Sequence, residues 1–416
     1  MAIVKPFKGL RPPKDIVDRV ACLPYDVMNS TEAAKMADGK PESLLHVTKA
    51  EIDCEPGIDT HSEIVYNKAV ENFKKMQSNS WLVEDDKSKF YIYAQRMGEH
   101  IQYGIVGCAS SVEYFEGKIK KHELTRPDKE EDRMTLTKYT NANIEPVFFS
   151  YKAIAEIDSI IDNIVKTQKP EYDFIADDGF GHQFWVIEDD NTNIQIEKLF
   201  AEKVPCMYVA DGHHRTAAAS RIGKERAENN PNHTGQEEYN FFMAVIFSDH
   251  QLKIIDYNRV IKDLNGNDKK SLLEKLNKNF VIQNMGKEIY KPSKLHEFSM
   301  YIDSEWYKLN AKEGTYNDND PIGVLDVTIL SDLVLDKILG IEDLRRSQRI
   351  DFVGGIRGLG ELKKRVDSGE MAVAFALYPV SMQQLITIAD TGNIMPPKTT
   401  WFEPKLRSGL VIHKLD

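Results

Sequence analysis

Cysteine is scarce and scattered in this chain. The four cysteines (Cys22, Cys54, Cys108 and Cys206) form no CxxC pair anywhere in 416 residues. A disulfide-built scaffold and zinc-finger ligand spacing are thereby excluded. Long apolar runs are also missing. No window approaches the ~18 apolar residues that a membrane span requires, and the start, Met1-Ala2-Ile3-Val4-Lys5-Pro6-Phe7, has no apolar stretch of signal-peptide length. The expected compartment is the cytoplasm, with no membrane partner. Positive charge is in deficit, with 54 Lys and Arg against 65 Asp and Glu and a net charge of −11. Such a field repels phosphate backbones, and the longest basic cluster, Leu344 to Arg349, is short. Nucleic acid is therefore not an expected partner. Solenoid repeats and low-complexity tracts are absent as well.

What is there is ordinary globular composition, 41% apolar and 29% charged. The length suits about two domain-sized units. Hairpin patterns at 90–107 and 241–255 alternate with helical patterns at 61–77, 125–139, 153–166 and 215–228. In the 61–77 helix, Ile64, Ala69, Val70 and Phe73 fall on one side. Further on, helices are expected at 271–277, 324–339 and 381–389, and strands at 300–302, 306–309 and 371–377. Hairpins and helices without regular βαβ alternation indicate an α+β fold of mixed sheets with packed helices. The expected units are 1–262 and 263–416, with a weaker seam near 170–178. Gly354 to Gly360 is glycine-rich but lacks the Walker lysine, so it reads as a turn.

The central feature is Asp211-Gly212-His213-His214-Arg215, which follows the apolar run Val204 to Ala210 and precedes Thr216-Ala217-Ala218-Ala219. Gly212 permits a turn with positive φ. The alanines let the next helix pack closely on the sheet. Free N–H groups and the dipole at such a helix start attract an anion, and Arg215 adds a planar fork for phosphate oxygens. Cations at a helix N-terminus are locally unfavourable, and a bound anion resolves the conflict. The plainer alternative is a structural helix start with Asp211 as N-cap. A chelating role for His213 and His214 is weaker, because neighbours on a helix point about 100° apart.

Other chemistry-bearing residues cluster in two places. Pro24-Tyr25-Asp26 sets a carboxylate in a proline-constrained loop, as a general base or a turn residue. His122-Glu123-Leu124-Thr125 leads into a helix on which Lys129 and Arg133 share a face. That pair is expected either to clamp phosphates or to sit on a solvated face, and Glu123 either holds Mg²⁺ or acts as base. Lys398 and Lys405 in the tail are within reach of a ligand phosphate if their loop closes on the site.

Asp211-Gly212-His213-His214-Arg215 resembles the Asp-Gly-x-His-Arg phosphate-binding motif of the ParB/sulfiredoxin-like superfamily, and within it the free serine kinases. Over nearly its full length the chain resembles domain-of-unknown-function family 1015. The segments that carry this likeness are Ala21 to Val27, His122 to Arg133, Asp211 to Arg215 and Met395 to Leu406. The resemblance implies a ParB/sulfiredoxin-like core elaborated by N- and C-terminal segments. It also implies a nucleotide-dependent phosphotransferase, a small-molecule kinase using ATP or ADP with Mg²⁺ on a small hydroxyl metabolite such as free serine, or on phosphoserine in reverse. In this reading Asp26, Glu123, Asp211 and His214 are catalytic, and Asp211 and Glu123 hold the metal. Gly212, His213, His214, Arg215, Lys129, Arg133 and Lys398 bind the nucleotide. The kinase pattern favours Glu where Asp26 stands. Sulfiredoxin's cysteine is replaced by His213, which removes the nucleophile for sulfinic-acid reduction, and ParB's arginine-rich element is missing. A phosphoester hydrolase and a non-catalytic nucleotide or metabolite sensor are the rival readings.

Overall fold

The computed structural model describes all 416 residues, which divide into two compact units. The first comprises Met1–Leu252 with Pro404–Asp416, and the second Lys253–Glu403. This differs from a single cut at 262/263. The last thirteen residues return to the first unit, where Ile412–Lys414 pairs with Gly9–Arg11 on one side and Ala142–Asn143 on the other. No seam falls at 170–178, because Tyr172–Ile175 is a strand of the first unit's main sheet.

That sheet is mixed. Its strands are β1 (Val4–Lys5), β2 (Tyr91–Met97), β3 (His100–Ser110), β4 (Ile119–Lys120), β5 (Val147–Tyr151), β6 (Tyr172–Ile175), β7 (Gly181–Val186), β8 (Met207–Asp211) and β9 (Phe241–Ser248). The order is β4-β8-β5-β9-β3-β2-β7-β6, with β1 on β3. β8 runs parallel to β4 and antiparallel to β5, and β9 runs parallel to β5. Its main helices are α1 (Glu63–Ser78), α2 (Pro127–Thr140), α3 (Ala155–Thr167), α4 (Asp190–Lys203) and α5 (His213–Asn229). The α+β expectation holds.

Several local expectations change. In α1 the buried positions are Val65, Tyr66, Ala69, Phe73 and Met76, whereas Ile64 is 65% exposed. The helix is rotated by about one residue from the face its β-branched side chains suggest. β9 forms no hairpin with Ile254–Ile255; β9 lies between β3 and β5, and the short strand pairs with Trp401–Phe402 inside the second unit. Apolar content made these two runs look like partners, yet long-range pairing decided both.

The second unit has a six-stranded sheet of β10 (Tyr257–Ile261), β11 (Phe280–Gly286), β12 (Glu297–Ile302), β13 (Glu305–Ala311), β14 (Ile350–Gly354) and β15 (Val373–Leu377). The order is β11-β13-β12-β15-β10-β14. The helices α6 (Lys269–Leu276), α7 (Gly358–Asp367) and α8 (Met382–Asp390) accompany it. The expected helix 324–339 is α-helical only over Asp326–Leu330 and then widens to a π-helix over Ser331–Asp336. The glycine-rich run is not a plain turn. It ends β14 and starts α7, which carries Leu359 and Leu362 into the core. No helix is long and apolar enough to cross a membrane.

The helix that follows the central motif, α5, is locked by close approach. A Cβ at Gly223 would lie 2.5 Å from Ser111 Oγ and 2.8 Å from the Tyr239 carbonyl oxygen. Alanine normally improves a helix by ~1 kcal/mol over glycine. Here overpacking wins, and Gly223→Ala is expected to destabilise the protein by about 1–3 kcal/mol in urea unfolding. A variant as stable as the parent would show that α5 can slide off Ser111.

Candidate functional site

β8 ends in an irregularity. Its register against β5 shifts between Val209 and Asp211, as at a β-bulge, a device that re-aims the following side chains. Gly212 then takes φ +86 and ψ 34, a left-handed conformation that glycine adopts without strain. Gly212 is itself the N-cap of α5, no side chain caps the helix, and its first turn holds no acidic residue. The leading amide donors of α5 are thus left for an outside acceptor.

Asp211 does not act as the N-cap. Its Oδ2 lies 3.3 Å from Lys405 Nζ. Burial works against its charge, but Lys405 and then Arg215 outweigh that and bring its pKa down to about 2. Lys405 is therefore the lysine of the first unit's tail that engages the motif. Lys398 belongs to the second unit, where its ammonium lies 5.7 Å from the Tyr257 ring centroid.

Arg215 is 7% exposed and does not offer an open fork. Its Nη1 donates to the Pro146 carbonyl at 2.5 Å, and its guanidinium would touch a Cβ at Gly212 at 3.3 Å. Burial opposes its charge, yet Asp26, Glu145 and Asp211 together raise its pKa. Arg215 underpins the turn and projects positive potential through it, while its Nε keeps no partner. A hole of about 30 Å³ beside it, lined also by Arg133, Ala218 and Phe242, is of the size that holds ordered water.

The two histidines differ. His213 is buried, its ring edge-on to His122 with centroids 4.5 Å apart, and its Nδ1 is 3.9 Å from Glu123 Oε2. Its Nε2 has no partner. Burial pushes its pKa down to about 4 and that of His122 to about 3, so both rings are neutral at pH 7. His214 accepts a 3.0 Å hydrogen bond at Nε2 from the Arg126 amide, which fixes the Nδ1–H tautomer and leaves that donor for other use. Burial lowers its pKa too, although Asp26 and Glu123 pull the other way.

Asp26 is exposed on a 3₁₀ turn, Tyr25–Val27, within electrostatic reach of His214 and Arg215. The turn is firmly held. Tyr25 N–H donates to Glu145 Oε1 at 3.0 Å, and Arg133 stacks 3.8 Å above the Tyr25 ring. Arg133 is itself buried and paired with Asp132 at 2.7 Å and Glu145 at 3.4 Å. It is therefore a buttress for the Asp26 loop and not the exposed phosphate clamp expected from the helical stripe. Lys129, one turn earlier on α2, is partly buried. Sequence reasoning singled out His122 with Glu123 but missed Glu145. The Glu145 role carries no local signal, since its partner Tyr25 is 120 residues away and Arg133 lies on a separate element.

A family model described as a protein of unknown function, DUF1015, matches residues 4–328. The chain belongs to the DUF1015 family. No curated protein matches it. Among solved structures it is similar to a conserved hypothetical protein from Pyrococcus furiosus, with 15% identity, 70% of this chain and 92% of that one covered, and a TM-score of 0.33. It is also similar to a free serine kinase in complex with AMP, with 13% identity, 70% and 89% covered, and a TM-score of 0.33. A C-terminally truncated SbnI from Staphylococcus aureus shows 11% identity, 74% and 87% coverage and a TM-score of 0.37.

In this DUF1015 chain no group of three or more His, Cys, Asp and Glu is placed to hold a metal ion unaided. Mg²⁺ typically needs only one or two carboxylates beside substrate phosphates. Glu123 fits that part better than Asp211, whose carboxylate Lys405 already engages. A separate cavity of about 550 Å³ is lined by His61, Glu63, Tyr66, Asp128, Glu131 and Asp132, an acidic wall unsuited to phosphate.

The buried, neutral histidines set a pH dependence. The unfolded chain takes up a proton near 6.5, while folded His213 resists until about 4. Stability falls as pH drops through that window and levels off below it, by up to about 1.4 kcal/mol per pH unit for each such group. His213→Gln should flatten the slope of unfolding free energy between pH 6.5 and 4. An unchanged slope would mean that His213 is hydrated in solution.

Proposed function

We propose that this chain is a nucleotide-dependent phosphotransferase acting on a small hydroxyl metabolite, with ATP or ADP as the nucleotide and Mg²⁺ as its charge partner. The motif resemblance suggests free serine, or phosphoserine in the reverse direction, as the substrate, and a ParB/sulfiredoxin-like core as the fold that carries the site. One observation carries the reading. An uncapped helix start beyond a left-handed glycine carries neutral histidines in its first turn and a buried guanidinium behind it, with an exposed carboxylate on a braced loop in electrostatic reach of His214 and Arg215.

Phosphoryl transfer asks chiefly for positioning and charge neutralisation. The α5 amides, His214 Nδ1–H and the unpartnered ring nitrogen of His213 bind phosphate oxygens. Asp26 accepts the proton of the attacking hydroxyl. A new O–P bond then forms as the bond to the leaving nucleotide oxygen breaks. Lys405 stands beside Asp211, 3.3 Å away, and balances charge at the same end of β8. Bound Mg²⁺ would neutralise phosphate oxygens, with Glu123 as its protein ligand. The reverse reaction uses the same groups. A hydrolase is the second reading, favoured by the neutral, unpartnered His213 nitrogen, which is the form a histidine nucleophile requires.

Incubation with ATP or ADP, Mg²⁺ and a panel of hydroxy amino acids, followed by mass spectrometry, tests this directly. A phosphorylated amino acid, or serine released from phosphoserine only when ADP is present, is the expected outcome. Inorganic phosphate formed without a nucleotide would favour the hydrolase. Asp26→Asn is expected to lower turnover by about 10²–10⁴-fold while nucleotide affinity stays within a few-fold. Full turnover in that variant would remove Asp26 from the mechanism.

A further inference from the structure

The second unit holds a charge that its own fold leaves unanswered. β10 alternates, sending Val260 into the core with Leu359 and Leu362 and Arg259 to the opposite face. Arg259 is 0% exposed. Its Nη1 donates to the Tyr257 carbonyl, its Nη2 donates to the Lys398 carbonyl at 3.0 Å, and its guanidinium lies 5.3 Å from the Phe352 ring centroid. Nε has no acceptor. No carboxylate pairs with it. The three other buried arginines all lie near acids. Arg133 meets Asp132 and Glu145, Arg407 meets Asp178, and Arg215 sits in the field of Asp26, Glu145 and Asp211. Those near Arg133 and Arg215 raise their pKa values, whereas burial lowers that of Arg259 to about 10 with only Tyr257 opposing. The nearest acid along the strand, Asp256, accepts from Asn258 Nδ2 at 2.6 Å, two residues along and on the other face.

A guanidinium removed from water without a counter-charge is costly, and such groups are retained where something pairs with them. The surroundings of Arg259 say what that is. A second cation, Lys398, lies over the Tyr257 ring, and Trp401 meets that ring edge-on at 4.9 Å. Trp401 is also packed on Gly354, where a Cβ would come within 3.0 Å, so the glycine-rich end of β14 is shaped to admit it. Two cations thus share an aromatic-walled patch with no carboxylate paired to either.

We propose that Arg259 and Lys398 form an oxyanion site in the second unit, which takes the phosphate group of a small ligand. The oxyanion replaces the Lys398 carbonyl as acceptor for Nη2 and supplies the acceptor that Nε lacks. The covering segment is built to be displaced. Lys398 holds φ +58, a conformation that lysine rarely adopts, directly after Pro396-Pro397, and its side chain is exposed. The shared chemistry is a phosphate oxyanion, either free or on the phosphate tail of a nucleotide. This site does not depend on the phosphotransferase reading of the first unit.

The test uses the full chain in a His214→Ala background, which weakens the first unit's phosphate donors. Inorganic phosphate and, separately, ADP are titrated at constant ionic strength against chloride, read by thermal shift and tryptophan fluorescence. A saturable response to either ligand is expected in this background. Arg259→Met and Lys398→Ala should each weaken it about tenfold or more, the scale of a lost charge-assisted hydrogen bond. Response to both ligands assigns the site to nucleotide phosphates, and response to phosphate alone assigns it to the free ion. Lys398→Ala, at an exposed position, carries the test if Arg259→Met does not fold. A response abolished by His214→Ala alone, or one that survives both second-unit substitutions, overturns the proposal. Absence of any phosphotransfer with this response intact would sink only the first-unit reading.

Discussion

The ion pair between Asp211 and Lys405 joins two pieces of chain nearly two hundred residues apart. It can form only because the tail, after the second unit, re-enters the first and closes a small sheet between Gly9–Arg11 and Ala142–Asn143. The first unit is thus discontinuous by construction, and the end of β8 is charge-balanced by a residue that arrives last. Without that lysine, Asp211 would place a partly buried anion directly beside the amide donors of α5. With it, the strand end can be acidic and still leave the helix start electropositive.

Beneath the same turn, Arg215 answers a different constraint. A guanidinium under a glycine cannot reach out to a ligand, but it can hold the Pro146 carbonyl and place positive charge below the turn. Gly212 is needed twice, for its left-handed φ and for the space that a Cβ would take from Arg215. The buttress continues through Glu145, which holds the Tyr25 amide, and through Arg133, which stacks on the Tyr25 ring. The polar layer under the motif is therefore a scaffold for Asp26.

Legibility followed the range of the interactions. The strand–glycine–helix joint at 207–229 was readable because its determinants are local: an apolar run, a glycine and an alanine-rich helix. The arginines were legible as cations but not as to where they point. Arg133 reads as a solvated or phosphate-facing stripe residue, whereas its neighbour Asp132, together with Glu145 and the far-off Tyr25, holds it inward. That Lys405 meets Asp211 was not legible for the same reason, since the pairing spans 194 residues. The hairpin expected at 241–255 failed because two apolar runs near in sequence each found better partners far away.

The histidines show how burial turns a motif's apparent charge into its working charge. Read as residues, His213-His214-Arg215 is a row of cations at the wrong end of a helix. Folded, His213 is held neutral by burial, His214 is fixed as a neutral donor by the Arg126 amide, and Arg215 keeps its charge below the turn. The local penalty on α5 is smaller than the composition suggests, because only one of the three is charged at neutral pH. Neutral donors suit a ligand that carries its own charge and metal. Under the proposed phosphotransfer, such donors would release a phosphate group that a row of exposed cations would hold too tightly.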